Sequence, residues 1–213
     1  MISERIGQWV RQYMLHVGKW FAKIGVTPNM ATVVGLVLNI AVAAVIATGH
    51  PRWGGVFLLL ASAFDMVDGA IARSTGATSR FGGFLDSTLD RYSEVVVYFG
   101  LLIWLNQTRD DHVGSVLILI ASSGALMISY ARARAEAVGY GATVGLVARP
   151  ERVILLALCL IVNQPLWALW ILAIATHLTA ITRIIHVWKL SLADTTTASV
   201  STPPLPPPPP ANE

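Results

Sequence analysis

Residues 65–90 read DMVDGAIARSTGATSRFGGFLDSTLD, and four aspartates in this stretch decide how the rest of the chain is understood. Asp65 and Asp68 are three apart and Asp86 and Asp90 are four apart, so each pair shares one face of a helix. The stretch 74–80 between them is short and polar, which lets two adjacent antiparallel helices bring the pairs face to face. The flanking sequence is apolar enough to span a membrane, where an aspartate at the helix centre costs about 2.5–3.5 kcal/mol on insertion scales. Four such groups approach roughly 10 kcal/mol, and like charges raise one another's pKa. One or two divalent cations remove both difficulties, because carboxylate oxygens are hard ligands suited to Mg²⁺, Mn²⁺ or Ca²⁺. Pairing with Arg73, Arg80 and Arg91, or a wet cavity, would account for one pair but not readily for two on adjacent helices.

The surroundings set the class of protein. Of 213 residues, 54% are apolar and 13% charged, about half the charged fraction of a soluble domain. Six membrane spans are expected, near 29–48, 53–73, 81–105, 112–134, 150–162 and 165–188, the fifth being short for a bilayer that asks for about 20 residues. Asn163-Gln164-Pro165 makes a tight hairpin between the last two. Ahead of them, Ile2, Ile6, Trp9, Val10, Tyr13, Val17, Trp20 and Phe21 recur at steps of three or four, predicting an amphipathic helix over 1–26 that lies on the headgroups. The expected fold is all-α: this interfacial helix, a six-span domain over 27–190, and a Thr- and Pro-rich tail over 191–213 without the apolar content for a core.

Positive charge sets the orientation. Thirteen lysines and arginines fall on one side of this arrangement and only Arg52 and Arg109 on the other, which predicts a multi-pass cell-membrane protein with both termini and the aspartates facing the cytoplasm. The net charge of +3 sits at segment ends rather than in a basic stripe, so no nucleic-acid partner is expected. Cys159, alone in an apolar run, excludes an internal disulfide or thiol metal site.

Between the aspartates, Gly69, Ala70, Ala72, Gly82 and Gly83 are small enough for close helix approach, and Gly69 leaves room for a bulky ligand beside Asp68. Arg73, at the mouth of the second span, suits a phosphate. The pattern Asp65-x-x-Asp68-Gly69-x-x-Ala72-Arg73, eight residues, Gly82-x-x-x-Asp86-x-x-x-Asp90 resembles the signature of the CDP-alcohol phosphotransferases, which also have an N-terminal amphipathic helix and six spans. The resemblance implies that Asp65, Asp68 and Asp86 are metal ligands and that Asp90 is both near metal and the general base. It also implies that two Mg²⁺ or Mn²⁺ ions hold the diphosphate of CDP-diacylglycerol while an alcohol attacks the lipid-side phosphorus and CMP leaves. Asn29, Met30, Ala31 and Thr32, with Gly69, Arg73 and Ser79, match positions that contact the CDP portion in the family. A homodimer is implied, with 122–125 (Ser-Ser-Gly-Ala) as one source of small contact residues.

The acceptor is approached through arginines. Arg132, Arg134, Arg149, Arg152 and Arg183 cluster at the cytoplasmic ends of spans four to six, beside a site already crowded with acid. Such a cluster suits an acceptor that carries its own phosphate, although snorkelling anchors would explain individual members. ISYARARAEA, ARPER and Arg183 ahead of His186-Val187-Trp188 resemble the phosphatidylinositol phosphate synthase branch of the family, which implies that Arg132, Arg152 and Arg183 grip the phosphate of inositol 1-phosphate. Members of that branch usually carry lysine where Arg132 stands. Phosphatidylglycerophosphate synthesis from glycerol 3-phosphate is the alternative within the family. A cation transporter or a non-catalytic scaffold is the alternative outside it: a transporter would need ionisable residues in the outer halves of spans two and three, and a decayed scaffold would have lost an aspartate.

Overall fold

The structure is a computed structural model that describes residues 2–108 and 112–200, with side chains placed for 13–108 and 112–194. Its elements are all helices: α1 (Ile2–Lys23), α2 (Pro28–Ala47), α3 (Pro51–Phe64), α4 (Met66–Thr75), α5 (Arg80–Thr108), α6 (His112–Ala137), α7 (Arg149–Ile161) and α8 (Pro165–Val200). No strand occurs among the described residues.

Local chemistry places the starts and stops. α2 begins at Pro28, whose missing N–H costs nothing at a first helical position, and Thr27 Oγ1 accepts from the Met30 amide at 3.2 Å. Proline also opens α3. α3 and α4 form one path interrupted at Asp65, which ends the first and caps the second. Gly76, at φ 69°, closes α4 in the left-handed conformation that glycine adopts at little cost. The α7–α8 hairpin turns at Asn163, also at positive φ, as the tight connection predicted.

α2 lies at the centre. α5 runs along it, α3 and α4 pack on its other side, α7 rests on α3, and α6 pairs with α8. The core joins these layers through Val42, Ile46, Leu58, Leu101, Leu105, Ile118, Leu160 and Leu172, all buried. Several crossings depend on glycine: a Cβ at Gly100 would strike the Ala43 backbone of α2, one at Gly55 the Ala157 backbone of α7, and one at Gly124 Thr176 and His177 of α8. Gly124 and Ala125, expected among contact residues between subunits, are therefore used inside the chain, where they let α6 and α8 approach.

The apolar side chains left outside form a belt, including Val37, Ile40, Leu60, Leu119, Ile174 and Ile181, with Trp20, Trp53 and Trp167 exposed near helix ends and Trp188 exposed within α8. Four helical stretches are long and apolar enough to cross a membrane: Pro28–Ala47, Pro51–Thr75, His112–Ala137 and Pro165–Asp194. These helices and the apolar belt make this a membrane protein. α5 carries Arg80, Asp86, Asp90, Arg91 and Glu94, and α7 has only 13 residues, so neither meets the same measure.

One expected boundary reads differently in the structure. α8 continues to Val200, ten residues beyond the expected start of the tail at 191, because 191–200 contains no proline or glycine to stop it. The remainder of that tail, 201–213, lies outside the described residues, as do the side chains of Ile2, Ile6, Trp9 and Val10 on the expected amphipathic face and the outer-side Arg109. The rest of α1 docks on α4: Val17 and Phe21 pack against Val67, Ile71 and Phe64, and Gly18 sits directly against the Ala70 backbone. Tyr13 and Trp20 remain exposed.

Candidate active site

α4 and α5 do not run against each other; both lean on α2, and the gap between them is the site. The small residues expected to bring these helices together instead keep them open. Ala70 is buried under α1, while Gly69, Ala72, Gly82 and Gly83 line a cavity of about 260 Å³. A Cβ at Gly82 would lie 3.0 Å from Ser79 Oγ and 3.2 Å from Asn29 Oδ1, and one at Gly69 would lie 3.0 Å from the Arg73 guanidinium. Any side chain at either position would narrow the cavity.

Of the seven residues expected at the nucleotide, Asn29, Thr32, Gly69, Arg73 and Ser79 line this cavity. Met30 and Ala31 do not: Met30 is exposed on the opposite side of α2, and Ala31 is buried against Val67 and Ile71. Ser79 stands just ahead of α5 and accepts from the Gly82 amide at 2.9 Å, so its hydroxyl caps the helix that forms one wall.

Asp68 and Asp86 line this cavity from α4 and α5, while Asp65 lines a smaller neighbouring pocket with Glu94, Arg149 and Arg152, and Asp90 is paired with Arg149. Thr32 Oγ1 lies 2.8 Å from Asp68 Oδ2, and the other Asp68 oxygen accepts from the amide of Gly69. Asp68 and Asp86 line the same cavity and lie within electrostatic range of each other. Asp65 lies within electrostatic range of Asp68 and Asp86, and Asp90 within range of Asp65 and Asp68. Gly35 lets α2 pass this cluster, since a Cβ there would sit 2.6 Å from Asp65 Oδ1.

Among the described residues, no three of these carboxylates close on a single point as a finished metal cage. The physical reason is Arg149. Its Nη2 lies 2.8 Å from Asp65 Oδ2 and its Nη1 2.7 Å from Asp90 Oδ1, which draws one member of each aspartate pair towards the first turn of α7. The donor set still fits a hard divalent cation, because Asp68 and Asp86 line one cavity with only oxygen ligands to offer and, among the described residues, neither is held in an ion pair.

The arginines expected to hold an acceptor phosphate all have partners. Arg152, 3% exposed, makes a two-pronged pair with Glu94, both contacts at 2.8 Å. Arg183, 7% exposed, donates to the carbonyls of Val144 at 3.0 Å and Ile128 at 2.6 Å, which ties the irregular 138–148 connection to α6 and α8. Thr179 Oγ1 fastens the same connection by accepting from the amides of Leu146 and Val147. Arg132 pairs with Glu136 at 2.8 Å on an exposed surface. The three are not gathered around one point, yet Arg132, Arg152 and Arg91 lie within electrostatic range of Arg183. Arg152 also shares a pocket with Asp65 and Arg149, so a group of arginines, partly offset by Glu94 and Glu136, borders the aspartates.

Glu94 is a site residue that the sequence reading did not single out, and Arg149 and Thr32, named there in the arginine cluster and at the nucleotide, were not placed against the aspartates. Two carried a signal. Glu94 continues the four-residue step Asp86, Asp90 along α5, and Arg149 is a cation in the first turn of a helix, where the dipole disfavours it.

An acidic gap with hard ligands, opening on a cavity beside an arginine field in a bundle of membrane helices, defines a membrane enzyme of metal-dependent group transfer. The model of the CDP-alcohol phosphatidyltransferase family matches residues 25–190, and the chain belongs to that family. An archaetidylinositol phosphate synthase of Pyrococcus horikoshii is 34% identical over 84% of this chain and 93% of its own length. A phosphatidylinositol phosphate synthase of Mycobacteroides abscessus is 38% identical over 76% of this chain and 77% of its own. Among solved structures, the Mycobacterium tuberculosis phosphatidylinositol phosphate synthase with CDP-DAG bound superposes with a TM-score of 0.79 at 32% identity, covering 83% of this chain and 94% of that one. The same enzyme in complex with manganese and citrate gives a TM-score of 0.78 at 32% identity, covering 82% and 88%.

Proposed function

We propose that this enzyme transfers a phosphatidyl group from CDP-diacylglycerol to inositol 1-phosphate, giving phosphatidylinositol phosphate and CMP. The observation that carries this reading is the placement of the aspartates between a cavity lined by the family's nucleotide-contact residues and a field of arginines. The relatives' names agree on inositol phosphate and differ only in the lipid, phosphatidyl or archaetidyl.

Asp65, Asp68, Asp86 and Asp90 would hold two Mg²⁺ or Mn²⁺ ions, which supply neutralising charge for the diphosphate and the leaving CMP. The chain's own groups do the rest. Asn29, Thr32, Gly69, Arg73 and Ser79 bind the CDP portion, with Arg73 offering forked donors to phosphate. Met30 and Ala31 belong to the same turn of α2 and act by shaping it. Asp90 takes the proton of the acceptor hydroxyl as that oxygen bonds to the lipid-side phosphorus and the bond from phosphorus to CMP breaks. Arg132, Arg152 and Arg183 set the potential that draws a phosphorylated acceptor, and Glu94 holds the Arg152 guanidinium in a fixed plane.

On this reading α1 lies on the headgroups, the path from α2 to α8 makes six passes with α5 and α7 included, and residues 27–190 form the enzyme domain. Both termini and the acidic gap face the cytoplasm, and the enzyme works as a homodimer. Product analysis by mass spectrometry tests the acceptor. With inositol 1-phosphate, glycerol 3-phosphate, inositol and serine offered separately, only the first should yield lipid product. Product from glycerol 3-phosphate alone would reject the acceptor assignment and leave the aspartate chemistry standing.

A further inference from the structure

Arg149 is placed where a metal ligand's counter-ion would be. It comes from α7 and, among the described residues, is the cation paired with both jaws: Nη2 to Asp65 on the α3–α4 junction, Nη1 to Asp90 on α5, at 2.8 and 2.7 Å. The side chains are 24%, 14% and 18% exposed, so these are partly buried pairs that water screens only in part. Its remaining donor, Nε, is buried without a hydrogen-bond partner. A buried guanidinium N–H left unmade is costly, and a cation at the first position of α7 works against the helix dipole. Nothing in helix stability asks for arginine at this position; the two carboxylates do.

The same two carboxylates belong to the proposed set of metal ligands, and any competition for them rests on that proposal. A guanidinium and a divalent cation cannot both have the facing lone pairs of Asp65 and Asp90, and two cations a few ångströms apart repel strongly in a partly dry gap. We infer that Arg149 and the divalent metal compete for Asp65 and Asp90, so that Arg149 is a positioning residue that holds the acidic jaws together until metal takes its place. Loading metal turns the guanidinium away from the carboxylates, and its forked donors, Nε included, become free for an anionic oxygen of substrate. The exchange couples metal loading to readiness for a phosphorylated ligand. It also keeps four carboxylates tolerable to the fold before metal arrives.

The test is Mn²⁺ binding to full-length protein in detergent, with free Mn²⁺ read by electron paramagnetic resonance, in wild type, R149Q, R149K and D86N. R149Q is expected to bind Mn²⁺ about tenfold more tightly, the loss of one competing charge-assisted pair. R149K is expected to show a smaller gain, since an ammonium cannot fork between two carboxylates as the guanidinium does. Thermal unfolding gives a second readout: without Mn²⁺, R149Q melts below wild type, and saturating Mn²⁺ raises its Tm by more than it raises that of wild type. D86N, which leaves Arg149 and both its partners in place, binds Mn²⁺ more weakly than wild type. Equal or weaker Mn²⁺ binding in R149Q and R149K, with D86N weakened, would overturn the competition and leave the metal site intact. D86N binding as wild type would overturn the metal-site reading itself, and the competition with it.

Discussion

Glu94 shows how a site residue can be hidden by its neighbours. It sits one turn beyond Asp90 and closes on Arg152 through two contacts of 2.8 Å in a pair that is nearly buried. The sequence placed Arg152 beside an acidic site and suggested that it faces a phosphate. No spacing rule could reveal that an acid 58 residues earlier already holds it, because the α5–α7 apposition is a tertiary fact. Removing one partner leaves a buried charge alone, so Arg152→Ala should lower stability by about 3–5 kcal/mol, read as a lower midpoint in thermal unfolding. The same variant should raise the acceptor KM at least tenfold while sparing the donor KM. An equal rise for phosphorylated and unphosphorylated acceptors would remove Arg152 from phosphate recognition.

The aspartates behave differently, because spacing of three and four along a helix fixes which face they share before any tertiary contact is known. Asp90→Asn keeps the shape and removes the base, so turnover should fall by at least about 10²-fold, within the range general-base catalysis supplies, while CDP-lipid binding persists. Unchanged turnover in that variant would exclude Asp90 from proton transfer. Gly82→Val should weaken binding of the CDP-lipid with little loss of stability, since its branches would enter the space beside Ser79 and Asn29. Calorimetric titration with the lipid nucleotide measures it, and unaltered affinity would place the nucleotide elsewhere.

At the scale of elements, the composition and the apolar runs located α2, α5, α6 and α7 to within a few residues, and Pro28 and Pro165 marked two of the starts, but α3 and α4 were expected as one span and α8 runs twelve residues past its expected end. Which helices touch was less legible. Small residues on α4 and α5 suggested that the two pack together, whereas both rest on α2 and the small residues make the cavity. Small residues do two jobs, close packing and open space, and one-dimensional spacing does not separate them. The glycines that do bring helices together, Gly18, Gly100 and Gly124, lie outside the signature. Gly18→Leu should lift α1 from α4 and loosen the helix, so that trypsin cleaves at the already exposed Lys19 and Lys23 faster than in wild type; an unchanged digestion rate would mean that α1 is held by other contacts. The end of α8 was misplaced for a simpler reason: threonine-rich sequence disfavours a helix only weakly, and the first prolines, Pro203 and Pro204, come later.

For the whole molecule, charge asymmetry and function make one claim, that the acidic gap opens to the cytoplasm. In a Cys159→Ala background, Ala77→Cys beside the gap should be labelled by an impermeant maleimide only from the cytoplasmic side. His50→Cys, at the α2–α3 turn on the far end, should be labelled only from the other side. Labelling with the sides exchanged would invert the topology. The family was legible in the sequence because eight signature residues stand at fixed spacing over 65–90. The arginine field was legible only as composition, since each arginine's partner, carboxylate or carbonyl, is decided by packing.

The most direct test of the account is CMP release from CDP-diacylglycerol by the purified protein, with inositol 1-phosphate as acceptor, in Mn²⁺ or Mg²⁺ and again in excess chelator, for wild type and Asp90→Asn. The prediction is steady CMP release by wild type that needs both metal and acceptor phosphate, is lost in chelator, and is absent from the variant. CMP release that persists in chelator or in Asp90→Asn, or that proceeds equally with unphosphorylated inositol, would contradict it.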